Sequence, residues 1–182
     1  MKTIYLIRHC KAEGQHPEAP LTAEGSLQAA ELQEVLAGLA IDRVVSSPYR
    51  RAMDTVKPFC ERSGLSAIAD DRLRERVLSS EETADWMDRL KRTYDDPELK
   101  YAGGESSNEA KRRGTAVIDE LLRSGCGRAV VVTHGALMSL MLRRYRPSFG
   151  FAEWRQLTNP DLYKLDFDED GEWIAMERVW NP

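Results

Sequence analysis

Arg8 and His9 stand side by side at the end of an apolar run, residues 4–7, close to the start of the chain. Arginine offers a planar, permanently charged fork suited to phosphate oxygens, and histidine is a nucleophile or base near neutral pH. The arrangement recurs far along the chain, where the run Arg128-Ala-Val-Val-Val132 ends in Thr133-His134-Gly135. Such runs suit strands buried on both faces of a parallel sheet, whose ligands bind beyond the carboxyl ends of the strands. If these two strands are neighbours, His9 and His134 face one crevice. Arg51 follows a short strand over 43–46 and can face it too, near a helix amino end that itself favours an anion. Taken singly, Arg8 and His9 read as a solvated strand end, and His134 as a hydrogen-bonded core histidine. Their repeated placement is what points to anion chemistry.

The elements that hold these residues follow from the pattern around them. Residues 10–20 are polar, with Gly14, Pro17 and Pro20, and read as a loop in which Gln15 and His16 either return to the crevice or face solvent. Thr22 can cap a helix whose apolar face is Leu32, Val35, Leu36 and Leu39. Ser47-Pro48 has the form of a helix start, a capping residue and then proline, with Ala52, Val56, Phe59 and Cys60 facing the core. Residues 67–69 suit a third short strand. The run Asp70-Asp-Arg-Leu-Arg-Glu75-Arg76 reads by default as a solvated surface. Residues 80–100 have helical spacing around Ala84, Met87 and Leu90, with Trp86 packed. Ser106-Ser-Asn-Glu109 matches a capping box before a helix ending near Gly125, with Lys111, Arg112 and Arg113 on its solvated side. An apolar helix over 136–142 follows His134. Tyr163, Leu165 and Phe167 alternate before a turn at Asp170-Gly171, the mark of an antiparallel hairpin.

These elements imply an α/β fold of three layers, a mostly parallel central sheet flanked by helices, with a C-terminal antiparallel edge hairpin. The 182 residues suit a single domain over 1–182 that can build its core without metal or disulfide staples. A net charge of -4 gives no general attraction to nucleic acid or to an anionic membrane, so any phosphate must be held by a local cluster. Three cysteines, Cys10, Cys60 and Cys126, show no paired spacing, which favours reduced thiols and a cytoplasmic location. The opening apolar stretch is too short for a signal peptide, and no later run approaches a membrane span. His9, His16 and His134 lack compact metal-ligand spacing.

Read together, Arg8-His9, Pro20-Leu-Thr-Ala-Glu-Gly25 with Gln28-Ala29, Ser46-Ser-Pro-Tyr-Arg-Arg51-Ala with Thr55, Arg72-Leu-Arg-Glu75, Gly104-Glu-Ser106 and Thr133-His134-Gly135 resemble the histidine phosphatase superfamily, also called phosphoglycerate mutase-like. The resemblance is good over residues 3–60 and 100–142, thin over 76–100 and slight in the tail. It implies that His9 is the nucleophile that becomes phosphorylated. It further implies that Arg8, Arg51 and His134 bind the phosphoryl oxygens and that Glu75 is the proton donor. Gln15 lies where many members have an asparagine that helps to hold phosphate. The expected activity is a phosphomonoesterase needing neither metal nor cofactor and acting on a small phosphorylated metabolite. Residues 76–104 would form a helical cap over the site. The oligomeric state is left open.

Two departures from the family pattern bear on function. Cys10 stands where glycine is usual, which raises the alternative of a cysteine phosphatase. That chemistry needs an arginine six positions after the cysteine, and the residues there are His16, Ser66 and Val132. The family's mutases also continue the Arg72-Leu-Arg-Glu75-Arg76 motif as His-Tyr-Gly, where this chain has Val77-Leu78-Ser79, and they are longer. Both points favour hydrolysis over phosphoglycerate mutase-type transfer. A phosphatase acting on phosphorylated protein is a further alternative. A binding module with its chemistry lost is disfavoured, because each principal catalytic residue has a candidate here.

Overall fold

The computed structural model describes residues 1–180. Its centre is one six-stranded sheet in the order β3-β2-β4-β1-β5-β6. The strands β1 (Lys2–Arg8), β2 (Arg43–Ser46), β3 (Ala67–Ala69) and β4 (Arg128–Thr133) are parallel, and β5 (Asp161–Phe167) and β6 (Trp173–Arg178) run antiparallel on the edge beside β1. This is the α/β architecture that the strand patterns imply.

β1 and β4 lack alternation because both their faces are covered. Ile4 and Leu6 point into a core shared with α4 (Ser107–Arg123) and α5 (Gly135–Arg143), while Tyr5 and Ile7 point into a second core built on α1 (Ala23–Ala37) and α2 (Arg50–Ser63). β4 divides the same way, with Val131 on one side and Val130 and Val132 on the other. Because the chain crosses from β1 to β2 over one face and returns to β4 over the other, β4 fits between them. The register then sets Arg8 opposite Thr133, and Ser46 opposite Val132. The carboxyl ends of all three strands therefore open at one level, which is the crevice the sequence implies.

Several local expectations need correction. Ser47-Pro48 does not begin the helix: α2 starts at Arg50, and the Ser47 hydroxyl, instead of capping the helix, accepts from the Tyr49 N–H and bonds to His134. Val35 is exposed, since Ala29, Leu32 and Leu36 already fill the contact of α1 with the sheet. Cys60 is only partly buried. The helix expected over 80–100 is confined to α3, Trp86–Asp95, and Trp86 and Met87 are 48% and 39% exposed, not packed. A short helix, α6 (Phe151–Arg155), precedes the hairpin. The capping box at Ser106 and Glu109 is formed as expected. Among the described residues no helix is long and apolar enough to cross a membrane.

Candidate active site

The strand ends bring Arg8, His9, Arg51 and His134 together. The rings of His9 and His134 meet edge to face, their centroids 5.1 Å apart. His9 Nδ1 lies 2.7 Å from the carbonyl of its own neighbour, Cys10, so the neutral ring carries its proton there and Nε2 is the acceptor. Arg51 Nε donates to that Nε2 at 3.2 Å. Asn159 Nδ2, from the segment before β5, donates to the His9 carbonyl and fixes the backbone at this corner.

Arg51 is 1% exposed, and its Nη1 donates to the carbonyls of Gln15 and His16. The loop over 10–20 thus does return to the site, but through its main chain. The Gln15 side chain stands at the rim of the cleft described below. Arg8 Nη1 donates to the Leu157 carbonyl, and its Nε is buried without a partner. His134 bonds through Nε2 to Ser47 Oγ at 2.7 Å, leaving Nδ1 buried and unpartnered as well. The unpaired Arg8 Nε–H and His134 Nδ1, buried beside the nucleophilic face of His9, are a costly arrangement unless an anion completes it. Gly135 makes it possible: a Cβ there would lie 2.9 Å from Arg8 Cζ.

The electrostatics follow from burial among cations. Burial, with the charges of Arg51 and Arg8, pushes His9 down from 6.5 to about 3, although the bond to the Cys10 carbonyl works the other way. His134 is held well below its ordinary value by burial, by His9 and by both arginines. Burial also lowers Arg8 and Arg51, and the nearby charge of Glu75 opposes this in both. Both imidazoles are therefore neutral at physiological pH. Cys10 is sealed off at 0% exposure, and burial drives its thiol up to about 12.

Glu75 does not lie on a solvated surface. Its Oε1 accepts from the N–H groups of Arg76 and Leu137, and its Oε2 from Ala136, which pins the carboxyl group to the amino end of α5. Arg76, expected to point outward, is 6% exposed and donates to Thr93, Ser107 and the Glu105 carbonyl. Arg113, expected on the solvated side of α4, pairs with Glu105 and donates to the carbonyls of Arg72, Arg74 and Glu75. Asn159 carried no signal of a site role in the sequence, because its partner is a backbone carbonyl 150 positions away. Beyond Arg8 and Glu75 opens a cleft of about 410 Å³, also lined by Gln15, Leu78, Trp86 and Trp154. Among the described residues no group of three or more His, Cys, Asp or Glu side chains is arranged to hold a metal ion.

A sheet of this order carrying an Arg-His pair at one strand end and a second histidine at the next defines a class of phosphoryl-handling protein. The model of the histidine phosphatase superfamily (branch 1) matches residues 4–179, and the chain belongs to that family. The chain is 29% identical over 195 residues to the probable phosphoglycerate mutase GpmB of Klebsiella pneumoniae, covering 96% of this chain and 89% of that relative. Among solved structures it resembles a mycobacterial glucosyl-3-phosphoglycerate phosphatase in complex with inorganic phosphate, with TM-score 0.79, 27% identity, and coverage of 100% and 98%. It also resembles a protein described as mycobacterial hydrolase 1, with TM-score 0.80, 26% identity and the same coverage.

Proposed function

We propose that the protein is a phosphomonoesterase that works through a phosphohistidine on His9, without a metal, on a small phosphorylated metabolite. The observation that carries this reading is the Nε2 of His9, held only by the Arg51 Nε–H, beside the unpartnered Nε of Arg8 and Nδ1 of His134. A phosphoryl transition state spreads negative charge over three equatorial oxygens, so fixed donors and positioning supply most of its stabilisation. An arriving phosphate draws the Arg51 Nε–H from His9 to a phosphoryl oxygen and so uncovers the nucleophile. Arg8 and the His134 Nδ1–H, which is a donor when Nε2 accepts from Ser47, take the other oxygens.

His9 Nε2 then forms its bond to phosphorus as the ester P–O bond breaks in line, and a proton brought by the monoanionic phosphate passes through Glu75 to the departing alkoxide. In the second step water attacks the phosphohistidine, Glu75 takes the proton of that water, the P–N bond breaks, and inorganic phosphate leaves. Gln15, at the rim, is assigned the contact with the outer phosphoryl oxygen. Residues 76–104 act as the cap that shapes the leaving-group side, within a single domain.

The test is covalent trapping. A labelled phosphomonoester, quenched without acid, gives a phosphoprotein that is labile to acid and stable to alkali. His9→Ala abolishes label and turnover, while Cys10→Ser retains most of both. Label on Cys10, or turnover without His9, would reverse the assignment. Phosphoryl transfer between the hydroxyls of phosphoglycerate is the second reading, favoured by the name of the Klebsiella relative. Phosphorus NMR of 3-phosphoglycerate with a trace of 2,3-bisphosphoglycerate separates the two: phosphate release without isomerisation is expected, and isomerisation outpacing release promotes the mutase.

A further inference from the structure

The cleft beyond the phosphate end has a distinct chemistry. Leu78, Trp86, Leu90, Ala136 and Trp154 make most of its wall. Leu90 is buried, Trp154 is braced by stacking on Phe151 at 5.4 Å, and Trp86 is 48% exposed, so indole surface remains open to a ligand. The cations nearby are committed elsewhere. The terminal nitrogens of Arg76 donate to Thr93, Ser107 and the Glu105 carbonyl, while its Nε, like that of Arg8, is buried without a partner. Arg113 pairs with Glu105, and Arg89, on the outer side of Trp86, pairs with Asp85. The shallow depression that continues past Trp86 is edged by Glu81 and Glu82, which repel a second anion. Open tryptophan faces, beside an Arg76 whose terminal nitrogens are already engaged, suit a flat, uncharged ring better than a carboxylate or second phosphate.

Building on the phosphohistidine reading, we infer that the substrate is the phosphomonoester of an alcohol with an uncharged, flat, largely apolar body, received between Trp86 and Trp154. Arg8 and Glu75 line both the phosphate end and this cleft, so a body seated there leaves its ester oxygen beside Glu75.

The test compares 2-(2-naphthyl)ethyl phosphate with ethyl phosphate and 3-phosphoglycerate. All three are alkyl esters, so reactivity of the leaving group does not drive the ranking. The naphthyl ester is expected to exceed ethyl phosphate by on the order of thirtyfold in kcat/KM, chiefly through KM, with 3-phosphoglycerate no better than ethyl phosphate. Trp86→Ala and Trp154→Ala collapse that ratio to within about threefold, and Trp86→Phe restores most of it. Inhibition by vanadate, which fills only the phosphate end, reports separately on the integrity of that end. Preference for 3-phosphoglycerate would overturn the inference and make Arg76 a carboxylate receptor. Loss of vanadate affinity in the tryptophan variants would make those residues structural and also overturn it. Absence of a phosphoenzyme with every ester, by contrast, would sink the phosphohistidine reading itself.

Discussion

Glu75 and the imidazoles show how far a single residue's surroundings decide its chemistry. Three backbone N–H groups fix the Glu75 carboxyl group, so it is positioned before a substrate arrives. Its replacement by glutamine keeps the size and removes the proton, at the cost of turning an amide NH2 toward one of those N–H groups. Glu75→Gln is expected to slow alkyl phosphates by about 10²–10⁴, with a much smaller loss for p-nitrophenyl phosphate, whose leaving group needs little protonation. Steady-state rates on the two esters check this, and equal losses on both would move the acid elsewhere. Gly135→Ala tests the cradle: its methyl group meets Arg8, so phosphate and vanadate affinity should fall by about tenfold or more while the fold survives. An unchanged vanadate inhibition constant would show that Arg8 can yield without loss.

At the scale of elements, Arg113 ties α4 to the segment that carries Glu75 through the carbonyls of Arg72, Arg74 and Glu75, and its ion pair with Glu105 holds the guanidinium there. Arg113→Leu should cost about 2–3 kcal/mol in denaturant unfolding and lower kcat by loosening Glu75, with the stability loss partly recovered in the double variant with Glu105→Gln. Additive effects of the two changes would remove the pair from that role. The elements also explain what could be read in the sequence. β1 and β4 were legible because burial on both faces erases alternation, and their polar ends follow as the crevice. The capping box at Ser106 was legible because both its partners lie within four residues. Residues 80–100 misled because apolar spacing was taken to mean a core, whereas Trp86 lines an open cleft and, of Ala84, Met87 and Leu90, only Leu90 is buried. Arg76 and Arg113 misled because a charged run defaults to solvent, and backbone carbonyl acceptors leave no trace in composition. Ser47 was assigned to a helix end, when its hydroxyl is turned to a histidine 87 positions away.

For the molecule as a whole, the two depressed imidazoles link pH to stability. Above about pH 6.5 both rings are neutral in the folded and unfolded chain alike and add nothing to the slope. Below 6.5 the unfolded chain binds protons that the folded site refuses, down to about 3 for His9, so stability falls as pH falls. The slope is up to about 1.4 kcal/mol per pH unit for each ring. Melting temperature should therefore drop from pH 7 to 5.5, and the double variant His9→Asn, His134→Gln should flatten that decline; a parallel decline would place the linkage in other groups. The sealed position of Cys10 has a different consequence. Oxidants and alkylating agents act on exposed thiolates, and this thiol is neither exposed nor ionised. A peroxide dose that converts accessible cysteines to sulfenic acid reaches Cys60 and Cys126 first, both far along the chain from the His9 corner. Dephosphorylation carried by an imidazole beside a silenced thiol would keep running through oxidative stress, and its rate would report substrate supply instead of redox state.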